Sequence, residues 1–170
     1  MARLAATFII LILWLPHVYG EGKIGYINLK EALHGVKDGQ AAESKVKKVF
    51  EEKQLELAQR ESELETFRQS IEAEFDKLPS SEKWSRWQEY QKRHAKLQED
   101  RAQYQKELNK LEDTLYGPIL KRLEELIAEL GKKEGYEMIF DKLESSILYA
   151  PQELDKTKAL IELYESRYSK

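Results

Sequence analysis

The sequence has 170 residues, 35% charged and 41% hydrophobic, with 28 Lys+Arg, 31 Asp+Glu and no cysteine. The missing cysteines exclude a disulfide scaffold, a Cys-ligated zinc site, an iron–sulfur centre and a thiol nucleophile. The near balance of charge argues against the strongly basic face of a nucleic-acid binder. Ordinary globular domains are about 25% charged, so what remains is a helical, highly charged chain.

Residues 1–20 read as a secretory signal. Met1-Ala2-Arg3 is a short positive start, Leu4 to Leu15 an apolar run that Pro16 breaks, and Val18-Tyr19-Gly20 places small residues three and one before Glu21. The run is too short for a membrane anchor, which needs roughly 20 apolar residues. The mature chain is expected to start at Glu21, to be exported and soluble, and to lose Arg3 from its basic residues.

Glycine and proline are poor in helix interiors and therefore divide the chain. Lys23 to Asn28 is a strand candidate, followed by a turn of amphipathic helix at Leu29 to Leu33. No glycine lies between Gly39 and Gly117, and the only proline there is Pro79. The spacing predicts two long helices, 41–78 and 81–116, with Ser80 or Ser81 as the cap of the second. Helices of matched length with a short connection pack antiparallel, each roughly 55 Å long at 1.5 Å per residue.

In the second helix Trp87, Tyr90, His94, Leu97, Arg101, Tyr104, Leu108, Leu111 and Leu115 keep a three–four spacing, a heptad seam. In the first, Phe50, Leu57, Leu64, Ile71 and Leu78 recur every seven residues, but the complementary positions include Lys53, Arg60 and Glu74. Residues 41–116 carry 15 basic and 17 acidic side chains, so most other positions are expected to form a solvated face. Arg101 and His94 are expected to loosen the seam, leaving the arm flexible.

Beyond the arm, Ile119 to Leu130 continues a helix up to Gly131. Tyr136 to Asp141 and Ser146 to Ala150 are two further strand candidates, and Leu154 to Tyr168 is a closing helix. The expected fold is α+β but mainly α: a long antiparallel helical hairpin (41–116) on a small three-strand β body (21–40 and 117–170). A body this small gains little from one core, so self-association is expected.

Few chemical motifs survive inspection. Gly20, Gly22 and Gly25 match G-x-G-x-x-G, but Gly20 belongs to the signal and Gly25 sits within a strand. His34 and His94 lack a second ligand at helical spacing. No catalytic, cofactor or metal residues are assigned. The aromatic cluster Phe75, Trp84, Trp87 and Tyr90 surrounds Pro79; it either staples the hairpin tip or, with Trp84 off the seam, offers an apolar contact to a partner.

In its order of strand, long hairpin, two strands and closing helix behind a signal, the chain resembles the Skp (OmpH) family of periplasmic chaperones. The matching residues are Lys23-Ile24-Gly25-Tyr26-Ile27-Asn28, the strand Tyr136 to Asp141, and Leu148-Tyr149-Ala150-Pro151 leading to Leu154-Asp155-Lys156-Thr157. The resemblance implies an ATP-independent holdase whose partners are itself, as a homotrimer, and unfolded outer-membrane proteins held between the arms. It places Ile24, Tyr26, Ile27, Ile139, Ile147 and Leu148 in the shared trimer core. The family's best-known members are strongly basic, whereas this chain is at −3 with its signal; no lipopolysaccharide site is carried over, and membrane-surface contact stays an open expectation. A secreted coiled-coil adaptor of the envelope, binding one folded partner, is the alternative that the heptad seam alone permits.

Overall fold

A computed structural model describes residues 22–169; the expected signal at 1–20 lies outside the described residues. The order is β1 (Ile24–Ile27), α1 (Leu29–Gly35), α2 (Lys37–Glu74), α3 (Ser80–Glu134), β2 (Met138–Asp141) and α4 (Thr157–Tyr168), with single 3-10 turns at Phe75–Lys77 and Gln152–Leu154. The protein is mainly helical, with a small strand pair. Among the described residues no helix is long and apolar enough to cross a membrane.

The two ends of the chain meet in a parallel pair, β1 on β2, in the register Ile24↔Met138 to Ile27↔Asp141. On its other side β1 meets only an isolated bridge, Tyr26↔Asp155, where the Lys156 N–H donates to the Tyr26 carbonyl at 2.8 Å. Asp141 closes this junction. Its Oδ2 accepts from the Leu29 N–H at the start of α1 (2.9 Å), and its Oδ1 accepts from Leu143 (2.8 Å) and Glu144 (2.9 Å). Burial pushes this carboxyl up, but the three backbone donors outweigh it and hold it below its ordinary range.

The third expected strand does not form. Those Asp141 bonds draw residues 142–146 into turns, Ser146 takes a left-handed φ of 50°, and 147–150 runs on without a ladder partner. A strand needs a neighbouring edge to bond; the free side of β1 is occupied by Asp155 and Lys156, and 147–150 does not pair with the outer edge of β2.

α1 and α2 are separated by one extended residue, Val36 (φ −84°, ψ 148°), which folds the second helix back on the first. Gly39 permits that approach: a Cβ there would lie 1.7 Å from the Leu33 carbonyl oxygen, a clash with backbone that no rotamer relieves. α2 and α3 then run out as the hairpin. The tip differs in detail from expectation. Pro79, not a serine, caps α3, its carbonyl accepting from Glu82 and Lys83 at 3.0 Å. α3 continues through Gly117-Pro118 for 55 residues and ends at Gly135 in the left-handed region (φ 72°), a conformation glycine adopts without penalty.

The core lies at the arm's base, where Val36, Leu123, Leu126, Leu160 and Tyr164 are fully buried. Polar groups bind the arm to it. The Tyr164 hydroxyl donates to Asp38 Oδ2 at 2.9 Å, and Arg122 Nη1 donates to the same oxygen at 3.2 Å. Farther out the seam thins: Leu97, Leu108 and Ile71 are buried, but Phe50 is half exposed. Arg101, expected to loosen the seam, pairs across the arm with Glu61.

Two outcomes are expected. Gly39→Ala should destabilise the fold by about 1–3 kcal/mol or more through forced backbone displacement, read as a lowered midpoint in thermal or urea unfolding. Since the folded-state pKa of Asp141 is depressed, its stabilisation is present above the unfolded carboxylate value of about 3.9 and is lost as pH falls through the folded value. Asp141→Ala should therefore lower stability at neutral pH and flatten the acid limb of a stability–pH profile; an unchanged limb would assign that limb to other carboxylates.

Candidate functional site

Two surfaces collect most of the exposed apolar side chains of the described residues, Phe50 and Leu55 lying apart from them on α2. The first is the arm tip. The 3-10 turn after α2 carries Phe75, and α3 presents Trp84, Trp87 and Tyr90 from its first three turns. Trp84 is 63% exposed and Phe75 51%. Lys83 Nζ lies 4.4 Å from the Phe75 ring centroid, so a cation rests on that aromatic face. Trp87 stacks on Tyr90 at 5.2 Å between centroids, and Tyr90 in turn lies 6.2 Å from His94. The four aromatics thus divide: Trp87 and Tyr90 support each other along the helix, while Trp84 and Phe75 project into solvent.

The second surface is the sheet. The residues assigned to a shared core also divide. Tyr26 and Ile27 are buried within this chain, Ile139 is half buried against its core, and Ile147 is half buried. Ile24 is 46% exposed and Leu148 fully so. Met138, Phe140 and Tyr149 join them as exposed side chains, and the sequence reading did not single them out. Strand side chains alternate between faces: since Ile139 points inward, Met138 and Phe140 must point outward. That alternation was the available signal, but only the fold shows which face is covered. Ile24, Tyr26, Phe140, Ile147, Ala150 and Leu154 line an open, mostly apolar groove of about 280 Å³ on this side. Within the described sheet β2 pairs on one side only, so its outer edge carries unmatched backbone donors and acceptors.

His34 acquires a partner that helical spacing did not show. Its Nδ1 lies 3.2 Å from Glu43 across the α1–α2 elbow, with its ring edge-on to Tyr116 at 6.1 Å. This is a packing contact at the arm's base. Among the described residues no group of three or more His, Asp or Glu is placed to hold a metal ion. The geometry gathers exposed apolar side chains at the tip and on the sheet.

The sequence model of a family described as outer membrane protein (OmpH-like) matches residues 23–164. Among curated proteins none matches. Among solved structures, one described as a "putative outer membrane chaperone (OmpH-like)" from Caulobacter crescentus CB15 superposes with a TM-score of 0.67 at 15% identity, covering 86% of this chain and 85% of that one. At that identity the likeness concerns the fold.

The division of the tip aromatics is testable. Trp87→Ala should remove the stack on Tyr90 and cost about 0.5–1.5 kcal/mol beyond lost area, while Trp84→Ala should leave the unfolding midpoint unchanged. Equal losses in thermal unfolding would show that Trp84 also staples the tip.

Proposed function

Because the chain belongs to the OmpH-like family of outer membrane proteins, we propose that it is an exported periplasmic chaperone for unfolded outer-membrane proteins. It acts as an ATP-independent holdase in which three chains join through their sheets and their hairpins enclose the client. The observation that carries this reading is the coincidence, on one side of the body, of an unpaired β2 edge with exposed Ile24, Met138, Phe140, Leu148 and Tyr149. An exposed edge flanked by apolar side chains is a template for pairing with another chain. Three copies would bury Leu148 and the β2 edge and give the 147–150 segment the ladder partner it lacks within one chain.

The arms would hold the client by many weak contacts. Trp84 and Phe75 at the tips offer apolar faces at the end of a charged rod, and solvated charge along the rod keeps empty arms from associating. A client held this way stays mobile and can leave without a nucleotide-driven step. Charge attraction does not recruit it strongly, since the chain is at −3 overall.

Sedimentation equilibrium is expected to give a trimer, and Leu148→Lys should dissociate it by placing a charge in the buried core; a stable wild-type monomer would sink the shared-body reading. Mixed at trimer-equivalent ratio with a urea-diluted outer-membrane barrel protein, and without ATP, the protein should suppress light scattering. Trp84→Ala should weaken that suppression while leaving sedimentation unchanged. No suppression by the wild type, together with capture of one folded envelope protein at fixed stoichiometry, would favour the adaptor coiled coil.

A further inference from the structure

The arm is held along much of its length by charge as well as by apolar packing, and the charges form a pattern. Lys53 Nζ lies 3.9 Å from Glu107. Arg60 pairs with Asp100. The Arg93 guanidinium lies 4.4 Å from the Phe67 ring centroid, and Arg86 donates to Glu74 at 2.6 Å. On α2 these rungs are residues 53, 60, 67 and 74; on α3 they are 107, 100, 93 and 86. Each step outward is one heptad on both helices, so four successive cross-arm contacts fall on a single file, each built around one cation.

The second rung is the most enclosed. Asp100 is 9% exposed, the one charged residue among the buried side chains of the described residues. It receives Arg60 from α2 and Lys96 at 3.2 Å from its own helix. Arg60 is also held by Glu56 at 2.6 Å, and Arg101–Glu61 lies alongside. Tyr104, with Arg60 and Lys53, holds the Glu56 carboxyl below its ordinary range. Between Leu108 and Ile71, Leu97 is the only buried apolar side chain of the arm.

We propose that this ladder is a salt-sensitive zipper that gates opening of the outer arm, residues 53–107. Exposed or half-exposed ion pairs each contribute about 0–1 kcal/mol and are screened by salt, so several on a thin seam govern closure where one would not. The ladder also directs reclosing. Its cations sit on α2 in the inner two rungs and on α3 in the outer two, so displacement by one heptad would set Arg60 opposite Arg93, or leave Asp100 opposite Phe67. Only one alignment satisfies every rung.

Hydrogen–deuterium exchange of the full chain tests this. Raising sodium chloride from about 20 mM to about 500 mM shortens the screening length from roughly 20 Å to roughly 4 Å. Peptides within 53–74 and 86–107 should then exchange about tenfold faster, with those of α4 and the base of α3 unchanged. Replacing the enclosed rung with apolar side chains, Arg60→Leu with Asp100→Leu, should keep the arm helical by circular dichroism and reduce the salt response, since removing both partners leaves no uncompensated charge at the buried Asp100 position. Glu74→Gln with Arg86→Gln should reduce it as well, without disturbing mid-arm packing. Equal exchange of the wild type at both salt concentrations would overturn the proposal. So would an undiminished response in the Glu74/Arg86 variant, or loss of helicity in the Arg60/Asp100 variant.

Discussion

The pairing of Ile24–Ile27 with Met138–Asp141 is the constraint on which the rest depends. It joins segments about 110 residues apart, and in a flexible chain such closure carries an entropy cost that grows with loop length. Here the intervening residues return of their own accord, since two helices of the hairpin double back at Pro79 and bring their ends together. Asp141 then fastens the junction by reaching from the end of β2 to the first amide of α1. Strand pairing, the α1–α2 elbow and the arm's direction are therefore one linked arrangement. The Asp38–Arg122–Tyr164 contacts extend it by tying the root of the arm to α4.

The uneven distribution of apolar residues follows from this plan. A contiguous apolar core exists only at the arm's root, around Leu123, Leu126, Leu160 and Tyr164. Outward from it the arm has neither the width nor the side chains to exclude water, and cross-helix charge substitutes for burial. On the opposite side, the sheet leaves apolar groups exposed. The arm is solvated along its length and exposes apolar rings at its tip; the other end exposes apolar side chains beside an unpaired strand edge.

Much of this was legible from residue order. The glycine-free interval from Gly39 to Gly117, interrupted by Pro79, marks the hairpin, because helix breakers act locally and their absence is local too. Local signals misled where tertiary context prevailed. Gly117-Pro118 reads as a boundary, yet α3 runs through it because both its flanks pack into the base. Ser146–Ala150 has strand composition but pairs with no edge within the chain. The ladder was invisible as such: Lys53, Arg60 and Glu74 stood out as gaps in an apolar seam, while their partners at 86, 93, 100 and 107 looked like solvated face. Pairing across a hairpin depends on alignment, which composition does not encode. The tip aromatics were legible as a cluster, but their division into a stacked pair and two projecting rings depends on rotation about α3.

The continuity of α3 has a mechanical consequence. One uninterrupted helix carries the tip residues at Ser80 and the core residues at Leu123 and Leu126, with no joint at Pro118 that ends it. From residue 118 to its start the helix extends about 57 Å at 1.5 Å per residue. It is a lever whose short end is clamped in the body: a 10° tilt at the clamp displaces the tip by about 10 Å. Small rearrangements among Leu123, Leu126 and Tyr164 are thereby magnified at Trp84, and a load pulling on the tip is returned as torque on the core.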